Sequence, residues 1–286
     1  MTPAFYQRQK KTVRSDRYWS ADCLYSRVFR KFIISHTTLM SEKLRILQMD
    51  LLRKLYEIHS PSGLEKEMIF FLRDWIRACA PEADCQMDDI GNLYVRKGDC
   101  YRYPVIVAHL DQVQQGRSAG FRVVESGDVI YGFSESQVLM EGLGADDKNG
   151  IWVALQCLLR YPALKCCFFV QEEEGCIGSK ACDIGFFKDA RFIIQCDRRD
   201  ANDLIINIGG MALCDREFLD KIDYAAFGYR PGRGLMTDVG RLKERGVKAP
   251  CINLSCGYHR PHTDEEYTRK SELRNCLAFV EHILAR

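Results

Sequence analysis

Seven side chains between positions 109 and 262 have the types and spacing for metal chemistry: His109 and Asp111 in a His-x-Asp, Asp146 in Leu143-Gly-Ala-Asp-Asp-Lys-Asn-Gly150, Glu172 and Glu173 in Gln171-Glu-Glu-Glu-Gly175, then Asp197 and His262. Two adjacent divalent cations require ligands from several chain segments, one carboxylate shared between them, and a proton-transfer group that stays off the metal. His109 offers an imidazole nitrogen. Asp111, two residues on, points to the same side if the strand persists and is placed to hold the other imidazole N–H. Asp146, in a Gly-rich turn before a helix, is suited to bridge. Glu172 and Glu173 would point opposite ways on an extended strand, so both reach one site only if the strand ends in a turn there, which Gly175 permits. One of them then binds metal and the other serves as base. Asp197 and His262 would complete one terminal ligand set each.

Each piece alone has a bland explanation. A strand-end histidine is more often a hydrogen-bonded surface group, Asp-Asp-Lys is usually a solvated turn or helix start, and Asp197-Arg-Arg199 is most often a surface ion-pair cluster. Glu172–Glu174 is usually an exposed acidic run, and His262 after Pro261 could be loop punctuation. Their joint appearance, each after an apolar strand or beside glycine, favours a metal site.

The elements that must position these groups alternate. Leu44, Ile46, Leu47, Leu51, Leu52 and Leu55 recur near the helical period, and regular patterning begins after Met40. Ser62-Gly-Leu-Glu65 reads as a capping box for a helix over 63–79, with Phe70, Phe71, Trp75 and Ile76 on its buried face. Asp88–Val95 is a turn into a strand, Val105–Ala108 a strand ending at His109, and Phe121–Val124 with Val129–Tyr131 a hairpin. A helix from Lys148 to Tyr161 precedes a strand, Leu164–Val170, that delivers the glutamates. A strand over Phe192–Gln195 delivers Asp197. Ile205–Ile208, a helix near 234–246, the strand Cys251–Leu254 and a helix over 271–285 complete the series. Such alternation predicts an α/β fold of three layers, a mostly parallel central sheet with helices on both faces, and ligands at the carboxyl ends of its strands.

With 286 residues, 47% hydrophobic and 28% charged, the chain can bury one large core. A formal charge of +2 gives no argument for nucleic acid. Residues 1–40 hold eight Lys or Arg against two acids, a balance of +6 that leaves −4 on the rest. This basic leader is read as lying outside the fold, with 41–286 a single catalytic domain. Fourteen cysteines without a Cys-x-x-Cys, and no cleavable apolar signal segment, read as reduced, core-packed thiols in a cytoplasmic protein. No apolar run approaches the roughly 20 residues that span a bilayer.

The ordered set His109-Leu-Asp111, Leu143–Gly150, Gln171–Gly175, Cys196-Asp-Arg198 and Pro261-His-Thr263 resembles the zinc-dependent exopeptidase superfamily, which includes peptidase T, the glutamyl aminopeptidases and the carboxypeptidase and deacylase relatives. The resemblance covers roughly 41–286, and Leu55–Gly63 is similar to that group's opening helix and Ser-Gly-x-Glu turn. It implies two divalent ions, zinc with Co2+ or Mn2+ as alternatives. One is expected on His109, Asp146 and Asp197 and the other on Asp146, Glu173 and His262, with Glu172 as general base and Asp111 orienting. It also implies a cis peptide between Asp146 and Asp147. Asp111 to Asp146 spans 35 residues and Asp197 to His262 spans 65, too few for the separate lid many relatives insert. A lid-less version is therefore expected, with His259, Arg198 or Arg230 as stand-ins for substrate contacts that a lid would supply, and Arg199 joining the two arginines as a partner for a substrate C-terminus.

The implied reaction is hydrolysis of a peptide or similar amide bond, with a short peptide or acyl amino acid as substrate and neither nucleic acid nor membrane as partner. Aminopeptidase, di- or tripeptidase and N-acyl amino acid deacylase remain open. The rivals are a catalytically silent binding protein that keeps the fold, against which the complete ligand set argues, and a phosphoester hydrolase, for which no phosphate-cradling Gly-rich loop is evident.

Overall fold

Alternating side chains of the central strands feed two separate cores. Ile106 and Ala108 pack on one side, while Val105 and Val107 pack on the other. Phe168 and Phe169, and Ile194 and Ile193, divide in the same way, as the two-residue period of a sheet buried on both faces requires. The computed structural model describes residues 49–286, which form one compact unit. The basic leader at 1–40 and the helical positions Leu44, Ile46 and Leu47 lie outside the described residues.

The nine-stranded sheet comprises β1 (Ala83–Met87), β2 (Leu93–Lys97), β3 (Tyr103–His109), β7 (Leu164–Phe169), β8 (Ala190–Arg198), β9 (Asp203–Ile208), β10 (Met211–Ala212), β11 (Arg230–Gly234) and β12 (Cys251–Ser255). Its centre runs β7-β3-β8-β12, all parallel. Antiparallel strands extend both margins, β2 and β1 beside β7, and β9 and β10 beyond β12. A smaller antiparallel sheet holds β4 (Phe121–Ser126), β5 (Val129–Ser134), β6 (Leu139–Met140), β13 (Tyr258–His259) and β14 (Tyr267–Arg269). The β4–β5 hairpin is the expected one. Its partners β6, β13 and β14 are two or three residues long, too short to leave a periodic signal.

Helical residues 49–57 (α1), α2 (Lys66–Cys79), α3 (Ala145–Arg160) and α7 (Lys270–Leu284) cover one face of the large sheet, and α4 (Ile177–Ala181) and α6 (Asp238–Glu244) lie over the other. Helix α3 has no solvent-facing stripe over most of its length, because every residue from Ala145 to Leu158 is buried, between β3, β7 and β8 on one side and α7 on the other. A short helix, α5 (Arg216–Lys221), is capped by the Asp215 carboxylate, which accepts from Phe218 N at 2.8 Å.

Two local expectations are corrected. Ser62 does not cap α2, since its hydroxyl donates to Asp111 Oδ2 at 2.7 Å, and the helix begins at Lys66 with Glu65 folded back onto Gly63 N. The buried face of α2 is Met68, Ile69, Leu72 and Ile76, and Phe70 is exposed. Turning Ser62 and Glu65 toward other partners delays the first helical turn by three residues.

Candidate metal centre

Because β3 lies between β7 and β8 and all three are parallel, their carboxyl ends open on one side, and the helix α3 starts beneath them. His109 is the last residue of β3, Glu172 and Glu173 follow β7, and Asp197 is within the last turn of pleat of β8. Asp146 sits at the start of α3, and His262 comes from the loop between β13 and β14, so the smaller sheet supplies one member of the cluster.

Asp146 lies at the centre. Its Oδ1 is 3.1 Å from His109 Nε2 and its Oδ2 is 3.4 Å from His262 Nε2. His109 Nε2 is also 3.6 Å from Asp197 Oδ1, and His262 Nε2 is 3.1 Å from Glu173 Oε1. Ligand atoms of His109, Asp146 and Glu173 fall within 4.8 Å of one another, as do those of His109, Asp147 and Asp197. Asp147 competes poorly as a ligand, because its Oδ1 accepts from Gly150 N at 3.0 Å and its Oδ2 faces His109 N at 3.3 Å. These bonds tie it to the start of α3 and the end of β3. The Asp146–Asp147 peptide is cis, as the resemblance implies.

The glutamate pair reaches one site because the strand does end. Gln171 has φ of +52°, and Glu172 O accepts from Gly175 N at 2.9 Å and Cys176 N at 2.7 Å. Asp111 holds this turn: its Oδ1 accepts from Glu172 N at 2.9 Å, and its Oδ2 lies 3.2 Å from Glu173 N. The same Oδ1 is 3.3 Å from His109 Nδ1, which also faces the Asp111 carbonyl at 3.0 Å. One buried carboxylate therefore faces the imidazole Nδ1 and holds the glutamate turn. Asp111→Asn is expected to weaken metal affinity or activity by about 10–100-fold, measured by competition with a chromogenic chelator. Unchanged affinity and rate would remove Asp111 from the account.

Several supporting groups have no signal in the sequence. Glu266 is fully buried under the Asp146 turn, where it accepts from Gly144 N at 2.6 Å and Asp146 N at 3.1 Å. Gly144 has φ of +69°, a left-handed conformation that favours glycine, and a Cβ there would come 2.8 Å from the end of the Gln112 side chain. Thr237 Oγ1 is 2.8 Å from Asp197 Oδ2, and Gln195 Nε2 donates to the same oxygen at 3.1 Å, leaving Oδ1 toward His109. Asn253 brackets the Asp197 backbone with bonds of 2.9 and 3.0 Å.

The electrostatics call for positive charge. Asp111, Asp146, Glu172, Glu173 and Asp197 face two imidazoles, and like charges about 4 Å apart repel by about 4 kcal/mol at an effective dielectric constant of 20. Burial, aided by Asp197, Asp238 and Glu173, pushes Glu172 up to about 9, and burial with the Asp146 carboxylate pushes Asp197 up to about 7. Asp146 and Glu173 beside it push His262 up to about 10. Burial disfavours a charged His109, but Asp111, Asp146 and Asp197 outweigh that and raise it. The donor set suits divalent cations: imidazole nitrogens and carboxylate oxygens, with Glu173 Oε1 buried and, apart from the His262 imidazole it faces at 3.1 Å, without a hydrogen-bond partner among the described residues. A cation would satisfy that oxygen.

Of the other candidates, His259 is engaged elsewhere. Its Nε2 is 2.6 Å from Glu272, its Nδ1 is 3.0 Å from Asp200, and its ring stacks on Tyr267. Arg198 and Arg199 line a cleft of about 620 Å³ at the centre, which Arg230 does not, and Arg233 and Leu235 of the neighbouring segment do.

No protein-family model matches the sequence, and no curated protein is significantly similar to it. Solved structures are. Aminopeptidase PepT from Bacillus cereus superposes with a TM-score of 0.65 at 15% identity, over 83% of this chain and 97% of that one. The chain shares its fold. A tripeptidase from Staphylococcus aureus gives 0.65 at 15% identity over 83% and 96%, and an aminopeptidase from Desulfurococcus kamchatkensis gives 0.62 at 14% over 84% and 95%. The expected three-layer α/β architecture is thus that of known peptidases.

Proposed function

We propose that the protein is a two-metal hydrolase of peptide bonds, an exopeptidase acting on short peptides. The observation that carries this reading is the placement of Asp146, whose two oxygens face imidazoles supplied by the two different sheets at 3.1 and 3.4 Å. A carboxylate so flanked is set to bridge two ions. His109 and Asp197 complete one ligand set with it, and Glu173 and His262 the other. The likeness to an aminopeptidase and a tripeptidase supports the reaction class.

Two divalent ions, with zinc favoured by the nitrogen and oxygen donors, would activate water and polarise the scissile carbonyl. The chain's own part is positional and protonic. Glu172 lines the cleft beside Glu173 and belongs to neither ligand set. It is placed to take the water proton and pass it to the leaving amine. Asp111 fixes the backbone turn from which Glu172 projects, and the Cys176 thiol donates to Glu172 Oε1 at 3.3 Å.

Residues 41–286 are read as one catalytic domain without a lid, with 1–40 an arm outside it. The stretch from Asp111 to Asp146 is taken up by β4–β6, and that from Asp197 to His262 by β9–β12 with α5 and α6. Every described cysteine is a free thiol and most are buried, which supports a reducing, cytoplasmic setting. Among the described residues no helix is long and apolar enough to cross a membrane.

The test is a panel of free di- and tripeptides, N-blocked peptides and acyl amino acids, with and without a chelator. Release of single residues from unblocked peptides, lost on chelation and restored by zinc, is the expected result. Cleavage confined to acyl amino acids would make it a deacylase, and no metal-dependent cleavage at all would overturn the reading. Glu173→Ala is expected to lose one ion of two by elemental analysis, and full retention would exclude Glu173 as a ligand.

A further inference from the structure

The cleft beside the metal centre is chemically divided. Its inner end is acidic, with Asp146, Glu172, Glu173 and Asp197, and its outer rim carries Arg198, Arg199 and Arg233. Two of these arginines are engaged. Arg198 Nε donates to Asp203 Oδ2 at 3.0 Å, and Arg199 sits 3.6 Å from Asp200. The Arg233 side chain forms neither ion pair nor hydrogen bond among the described residues.

Its backbone explains the position. β11 pairs only with β9 among the described strands, so Arg233 is on a sheet edge, and the register slips between Gly232 and Arg233. Such a bulge re-aims a side chain. Gly234 lets the strand lie tight against β9, because a Cβ there would come 2.7 Å from Ile205 Cγ2. Beyond it Leu235, 83% exposed, and Met236 form an apolar lip. A guanidinium with no protein partner, beside the apolar Leu235 and Met236 in the cleft that also holds the candidate metal ligands, has the recognition chemistry for a carboxylate.

We propose that Arg233 binds a carboxylate of the substrate, so that the cleft selects anionic short peptides. This rests on the peptidase reading and names its substrate class. The carboxylate can come from the peptide C-terminus or from an acidic side chain, and one experiment separates the two. Rates are measured for Ala-Gln, Ala-Gln amide, Ala-Glu and Ala-Glu amide with the wild type, Arg233→Ala and Arg233→Lys. The expected result is a preference of about tenfold to hundredfold for one kind of carboxylate, expressed mainly in KM. Dependence on the amide identifies the C-terminus, and dependence on Glu against Gln identifies the side chain. In Arg233→Ala that ratio falls to near one, and Arg233→Lys restores part of it.

Equal rates on all four peptides, or a ratio that survives Arg233→Ala, would overturn the proposal. Calorimetric binding of Ala-Glu and Ala-Gln amide to the zinc-loaded Glu172→Gln protein, with and without Arg233→Ala, separates it from the peptidase reading. Arg233-dependent preference for Ala-Glu without any hydrolysis by the wild type would sustain the anion site and remove the peptidase reading. Equal affinity for both ligands would sink the anion site whatever the activity.

Discussion

Glu172→Gln is expected to lower turnover by about 10²–10⁴-fold, the range a positioned general base contributes, while both metal ions stay bound. Glutamine keeps the size and the backbone bond from Glu172 N to Asp111 Oδ1 at 2.9 Å, so the turn that carries Glu173 is undisturbed. What it removes is a group able to accept a proton. Ligand identity and proton transfer are therefore separable in this pair, and steady-state rates alongside elemental analysis measure both. A variant that keeps wild-type turnover would show that the proton leaves by another route. One that loses metal would place Glu172 among the ligands.

Asp146→Ala is expected to have the larger effect on metal binding, because this carboxylate faces both His109 and His262. Removing a terminal ligand costs one site, whereas removing the shared one costs both. The purified variant should carry close to no metal and show no turnover, with a wild-type circular dichroism spectrum to confirm that the fold persists. The Gly144–Asp146 turn is held by its backbone bonds to Glu266, which the substitution does not touch. Retention of two ions by a folded Asp146→Ala protein would exclude a bridging role.

The residues that face the centre were readable in the sequence because hard-cation ligands come from few residue types, and these stood where apolar strands ended. Asp111 shows where such reading stops. Its spacing from His109 suggested an orienting acid, but its bonds to the Glu172–Glu173 turn and to Ser62 join segments about 50 and 60 residues away. Ser62 looked like a helix cap for the same reason. A hydroxyl followed by Glu at the third position satisfies the local pattern, and only the folded chain offers it a better acceptor. Strand β8 continues through Asp197 and Arg198 past the end of its apolar run, since pairing with β12 persists to Ser255. Glu266, Thr237 and Gln195 support the ligands from positions with no periodic or motif signal. Phe70 is expected inward and lies outward, because Met68, Ile69 and Leu72 take the face of α2 that meets the core.

In the proposed arrangement His109, Asp146 and Asp197 hold one divalent ion and Asp146, Glu173 and His262 a second. Crystals of the protein grown with zinc and measured at the zinc absorption edge would show this. Two anomalous peaks are expected, one within each ligand set and with Asp146 between them. Zinc-loaded crystals with no peak in the cluster, or with peaks only at other surface groups, would contradict it.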